Sequence, residues 1–140
     1  MRAPWGMPHA SPGTKWCHVS LSTYKRRKVF NIAETARFCE HLLRRTCKEE
    51  GWQVGAISVR PDAVHTLLEV PSALPRDHIV RRLRAAAARA VHGGSVCPGG
   101  RRVFETGHWF AVLRAGARVA AIRRHLLSQS GVLIENVDDQ

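Results

Sequence analysis

The chain has 140 residues, the size of one ordinary domain and long enough to bury a core. Its 22 Lys and Arg against 11 Asp and Glu give a formal charge of +11, which disfavours basic partners and favours phosphate-rich ones such as nucleic acid or an anionic membrane surface. A hydrophobic share of 44% excludes wholesale disorder. No apolar run approaches the roughly 18 residues a membrane span needs, and the opening MRAPWGMPHASPG lacks the apolar core of a signal peptide.

Residues 1–14, with Pro4, Pro8 and Pro12 and no periodicity, read as a mobile tail. Residues 16–23 alternate: Cys17, Val19 and Leu21 face one way and Trp16, His18 and Ser20 the other, the pattern of a half-buried strand. Lys25, Arg26, Arg27 and Lys28 form a basic loop. Residues 33–50 read as a helix, with Ile32, Ala36, Cys39, Leu43 and Cys47 as its apolar stripe, Arg37, His41, Arg44 and Lys48 opposite, and Gly51 as its stop.

Two strands follow, 52–59 and 63–70, joined at Arg60-Pro61-Asp62 into a hairpin. Pro71 and Pro75 bracket a linker. A second helix spans 76–92, with Ile79, Leu83, Ala86, Ala87 and Ala90 inward and Arg81, Arg82, Arg84 and Arg89 outside. Residues 93–100 are a loop, 108–113 a fourth strand, and 117–129 a third helix with Val119, Ile122 and Leu126 on its stripe. Residues 131–140, carrying Glu135, Asp138 and Asp139, read as a loose acidic tail.

The four cysteines, Cys17, Cys39, Cys47 and Cys97, contain no C-x-x-C pair, so a zinc ribbon is not expected. Cys39 and Cys47 share a helix face but lie about 12 Å apart along the axis, too far for a disulfide. They read as small buried hydrophobes in a reduced, cytoplasmic protein. The order β-α-β-β-α-β-α fits an α+β fold: a split β-α-β (ferredoxin-like) antiparallel sheet with helices on one face plus a C-terminal helix. The other sheet face would be open and suited to a partner. On the third strand Val64, Leu68 and Val70 face the core, and Ala63, His65, Leu67 and Glu69 the open face, where His18 also points.

The segment Pro61-Asp62-Ala63-Val64-His65-Thr66-Leu67-Leu68-Glu69-Val70-Pro71 resembles the signature strand of the HUH single-tyrosine transposases, the small insertion-sequence transposases and their REP-associated relatives. Nine of eleven positions match the family's P-D-H-V-H-L-L-L-E-V-P. Trp16 to Tyr24, followed by Arg26, Arg27, Val29 and Phe30, is similar to the family's opening strand. Phe104 to Phe110 resembles its W-x-x-G-Y-aromatic segment, and Ile122 to Gln129 its I-R-R-Y-I-x-x-Q helix. The transposase-like domain would then span residues 15–130.

The resemblance implies a protein that cuts and rejoins single-stranded DNA, usually as a dimer. Two histidines and a helical Gln hold Mg²⁺ or Mn²⁺, and a Tyr attacks the phosphate. His65 matches the second histidine and Gln129 the Gln. Ala63 stands where the first histidine belongs, and His125 where the Tyr belongs. Strand cleavage is therefore expected to be lost, with no firm expectation of a metal. The alternative is a nickase with a rebuilt site, in which His65 and Gln129 hold metal and His125 is the nucleophile. DNA affinity rests mostly on phosphate neutralisation. The candidate contacts are Lys25, Arg26, Arg27, Lys28, Arg81, Arg82, Arg84, Arg101 and Arg102, with Trp109, Phe110 and Trp16 available to stack unpaired bases.

Overall fold

A computed structural model describes residues 12–92 and 103–138, the last part, from 129 onward, as backbone. Four strands and three helices alternate along it: β1 (Thr14–Ser22), α1 (Ala33–Glu50), β2 (Gln53–Arg60), β3 (Ala63–Pro71), α2 (Arg76–His92), β4 (Trp109–Leu113) and α3 (Gly116–Asp138). The sheet is antiparallel throughout, in the order β2-β3-β1-β4. This is the expected α+β, split β-α-β arrangement. The expected mobile segment 1–14 falls largely outside the described residues, but Thr14 already pairs with Pro71 as the first residue of β1. The loop 93–100, with Cys97, and Arg101 and Arg102 also lie outside them.

Period-two alternation puts Cys17, Val19, Leu21, Val64, Leu68 and Val70 on one sheet face. There they meet Cys39, Leu43 and Cys47 of α1 and Ile79, Leu83, Ala87 and Ala90 of α2 in one core. Gly51 ends α1 at φ +81°, a left-handed turn that glycine adopts without penalty, and the Trp52 amide returns to the Cys47 carbonyl. Burial pushes the thiols of Cys17 and Cys47 up to about 12 and raises that of Cys39, as expected of inert buried sulfur. Ile32 departs from expectation: it precedes the first turn of α1 and is exposed, so the apolar stripe begins at Ala36.

The second sheet face is not open along its whole length. Trp16, Ala56, Leu67 and Leu113 form a second core on it with Val119 and Leu126 of α3, and Trp16 is only 1% exposed. Arg123 ties the helix down by donating to the Gly55 carbonyl at the β2 bulge. The physical reason is the apolar Leu67 and Trp16 on the outward face, which demand cover. Trp16 is thereby removed from the residues able to stack a base. The helix also runs on to Asp138, so most of the expected loose tail after Gly131 is helical. One glycine costs a helix only about 1 kcal/mol, and no proline follows to stop it.

Candidate nucleic-acid interface

The register places the site. Side chains directly across a ladder share a face, so four rows can be read across the second face, the first being Gln53–Glu69–Trp16–Leu113 under α3. The row Ala56–Leu67–His18–Ala111 borders the apolar half under α3. Beyond it run Ser58–His65–Ser20–Trp109 and then Arg60–Ala63–Ser22. This end of the sheet, next to the basic turn after β1, is polar where the other end is apolar.

Here the Ser20 hydroxyl lies 2.7 Å from His65 Nδ1 and 3.3 Å from His18 Nε2. The two imidazole rings are 6.0 Å apart, centre to centre. Burial first, then the charges of His18, Arg60, His125 and Arg26, push the His65 imidazole down to about 4. Burial, then His125 and Arg118, lower His18 in the same way. Both rings are therefore neutral at pH 7 within a cationic surround. Ser58, directly across from His65 on β2, is fully buried, and its hydroxyl has no hydrogen-bond partner among the described residues.

The basic turn sits beside this row. Tyr24–Arg26 is a 3-10 turn in which Lys25 and Arg26 both hold φ of 54°, a left-handed conformation that non-glycine residues rarely adopt. It is held from three sides. The Lys25 amide donates to the Glu105 carboxylate, Arg26 pairs with Asp62 at 3.0 Å, and the Thr23 hydroxyl donates to the Arg27 carbonyl. The charges of Lys25 and Arg27 lie 5.5 and 5.7 Å from the Tyr24 ring centre. Lys28 is exposed.

The structure therefore brings His65, His125 and the turn Lys25–Lys28 toward one end of the sheet. Trp109, 59% exposed, lies in the same row as Ser20 and His65. It does not bring α2 there: that helix packs on the opposite face. Arg82 binds Glu49 and Glu50, and Arg84 donates to the carbonyls of Glu105, Thr106 and Gly107, so both have partners within the protein. Arg81 is exposed on that far side. Phe110 pairs with Val19 on the first face, with the Arg76 guanidinium 5.2 Å from its ring centre. Glu69 lies at the apolar end, buried and bonded to the Thr14 hydroxyl. Gln129 is on α3, with its side chain outside the described ones.

Among the described side chains, Ala63 and His65 do not make up a donor set for a divalent metal. Ala63, 5% exposed, offers a methyl group. Among the described residues no three His, Cys, Asp or Glu side chains converge to hold an ion. Mg²⁺ asks for oxygen donors with near-octahedral geometry, and the charges acting on His65 from Arg26 and Arg60 are positive. Ser20 was not among the candidates read from the sequence, and neither were Ser58, Arg60 and Arg118. The alternation of His18 and Ser20 on β1 was visible there; their register against His65 was not.

The model of the family described as "Transposase IS200 like" matches residues 14–110. The chain belongs to the IS200-like transposases. Its fold is similar to that of a protein of Deinococcus radiodurans R1 described as a candidate transposase. That match has 22% identity and a TM-score of 0.64, and covers 92% of this chain and 98% of the other. It is similar also to a REP-associated tyrosine transposase bound to a REP hairpin, with 12% identity and a TM-score of 0.60 over 98% of this chain and 75% of the other. No curated protein matches. The segment that resembles the family's signature strand is β3, and it sets Ala63 and His65 on the face that α3 leaves uncovered at one end. Among the described residues, no helix of this family member is long and apolar enough to cross a membrane.

Proposed function

We propose that this transposase-family protein holds single-stranded or hairpin DNA without cutting it. One observation carries the reading. Where the resemblance puts a ligand, this chain has the buried methyl group of Ala63, while the charges of Arg26 and Arg60 still converge on His65. That arrangement lacks the means to organise a metal and keeps the means to attract a phosphate. The exposed Trp109 in the same row offers a ring to an unpaired base. The structural relative bound to a REP hairpin supports this class of ligand. A cytoplasmic setting, where DNA meets reduced cysteines such as Cys17, Cys39 and Cys47, is part of the reading.

The alternative, a metal-dependent nickase on His65, His125 and Gln129, draws support from His125 lying near enough to act on both His18 and His65. The deciding experiment incubates labelled single-stranded hairpin DNA with the protein, with and without Mg²⁺ or Mn²⁺. Products are resolved on native and denaturing gels. A shifted but uncut substrate is expected. A cut or covalently attached strand, lost in His65→Ala, would establish the nickase instead.

A further inference from the structure

We infer that Arg84 is a positioning residue for DNA binding rather than a contact: from α2 it holds residues 105–107 in place, and through Glu105 it fixes the shape of the basic turn after β1. The inference rests on the DNA-binding reading above. It goes further by naming what sets the turn before DNA arrives.

Arg84 stands apart from the other arginines of α2. Arg81 and Arg89 are exposed, and Arg82 pairs with Glu49 and Glu50. Arg84 is half-buried and turns toward the chain beyond α2. There its Nη2 lies 2.9, 2.6 and 3.1 Å from the carbonyl oxygens of Glu105, Thr106 and Gly107. Three consecutive carbonyls aimed at one point repel each other, since each presents the negative end of its dipole. A cation at that point turns the repulsion into attraction. The bend at 105–107 therefore depends on the guanidinium that fills it.

The bend matters because of where Glu105 leads. Just before it, Thr23 and Phe104 form a β-bridge, the Tyr24 amide donates to the Val103 carbonyl, and Phe104 packs against Phe30 in the core. The Glu105 amide donates to the Ser22 carbonyl at 2.9 Å. Glu105 is thus gripped by both its backbone groups, on Ser22 and on Arg84, and its carboxylate accepts from the Lys25 amide at 2.6 Å. Lys25 and Arg26 both hold φ of 54°. Such a conformation persists only where the surroundings over-determine it. The Lys25 amide is satisfied by a side chain and not by a regular ladder, so the shape of the turn follows the position of Glu105. A loose turn would have to be ordered on DNA, which costs affinity, whereas a fixed turn has met that cost in folding.

The test uses the full chain and a labelled DNA hairpin carrying a short unpaired extension, with binding followed by fluorescence anisotropy. Arg84→Ala is expected to weaken binding about five-fold and to leave the slope of log K against log salt unchanged, because the cations that meet phosphates are the same. In a Glu105→Ala background, where the link to Lys25 is already cut, the same substitution should cost less than about two-fold. Arg81→Ala, exposed on the same helix, is the control and should leave the affinity nearly unchanged. Without DNA, hydrogen exchange of the Lys25 amide should speed up about ten-fold more in Arg84→Ala than that of the Leu43 amide in the core. A purely structural role would speed both equally. Should Arg84→Ala not fold, Arg84→Gln, which keeps a donor and loses the charge, serves the same comparisons. Equal acceleration of the Lys25 and Leu43 amides would overturn the inference. So would wild-type affinity in Arg84→Ala, or a slope flattened by about 0.7, the mark of a direct phosphate contact. No hairpin binding by the wild type would overturn the DNA-binding reading, and this inference with it. The exchange of Lys25, read without DNA, keeps that failure apart from a failure of the link to Arg84.

Discussion

His65 carries the most strongly displaced histidine of the site, and the direction of that displacement has a measurable consequence. Its imidazole falls from an ordinary value of 6.5 to about 4, chiefly through burial, so the folded protein resists a proton that the unfolded chain accepts. The stabilising contribution is therefore fully present above pH 6.5. It is lost as pH falls toward 4, and His18 moves the same way. Discounted for partial exposure, the His65 share is about 2 kcal/mol. Urea unfolding at pH 7 and pH 4.5 should show a drop of that order, and His65→Gln should flatten the curve. An unchanged slope in His65→Gln would mean that acid sensitivity arises elsewhere. His65, Ala63 and His125 were legible in the sequence because one strand motif and one helix motif are local. Ser20 and Ser58 were not, since their place beside His65 exists only once three strands pair in register.

Among the elements, α3 and the basic turn have distinct tasks. Leu126 of α3 is buried against the second core with Trp16 and Leu67, so Leu126→Ala should cost about 2–4 kcal/mol in urea unfolding. A cost near zero would show that α3 does not hold the second face. The helix itself was readable from the period of Val119, Ile122 and Leu126; its docking on the sheet was not. The signal was present in Leu67 and Trp16, two large apolar groups on a face otherwise read as open. The basic turn bears backbone strain at Lys25 and Arg26, both at φ 54°. Glycine adopts that conformation freely, so Lys25→Gly should raise stability by up to about 1 kcal/mol while removing one cation from the DNA-facing end. A stability loss would mean that the Lys25 stem over the Tyr24 ring outweighs the strain.

For the whole molecule, the formal charge of +11 matters less than where its counter-charges lie. In the helical layer Arg44 pairs with Glu40, Arg45 with Glu49, and Arg82 with both Glu49 and Glu50. At the polar end of the sheet the ion pair is Arg26 with Asp62, while Lys25, Arg27 and Lys28 stand exposed around it. Glu40, Glu49 and Glu50 thus take up cations of the helical layer, while the exposed cations of the turn, with Asp62 and Glu105 among them, lie toward His65 on the other side. DNA binding should then be steeply salt-dependent and one-sided. A footprint of about four phosphates gives a slope near −3 in log K against log salt, so raising salt from 50 to 200 mM should weaken binding about 60-fold. Neutralising Lys25 and Arg27 together should reduce that slope by about 1.4, whereas Arg81→Ala, on the far helical face, should leave it nearly unchanged. If all three substitutions flatten the slope equally and heparin competes as well as the hairpin, the affinity belongs to the summed charge and not to the sheet end. If only the turn variants do, the charge is directed, and the DNA backbone runs past Lys25 and Arg27 toward Ser20 and His65.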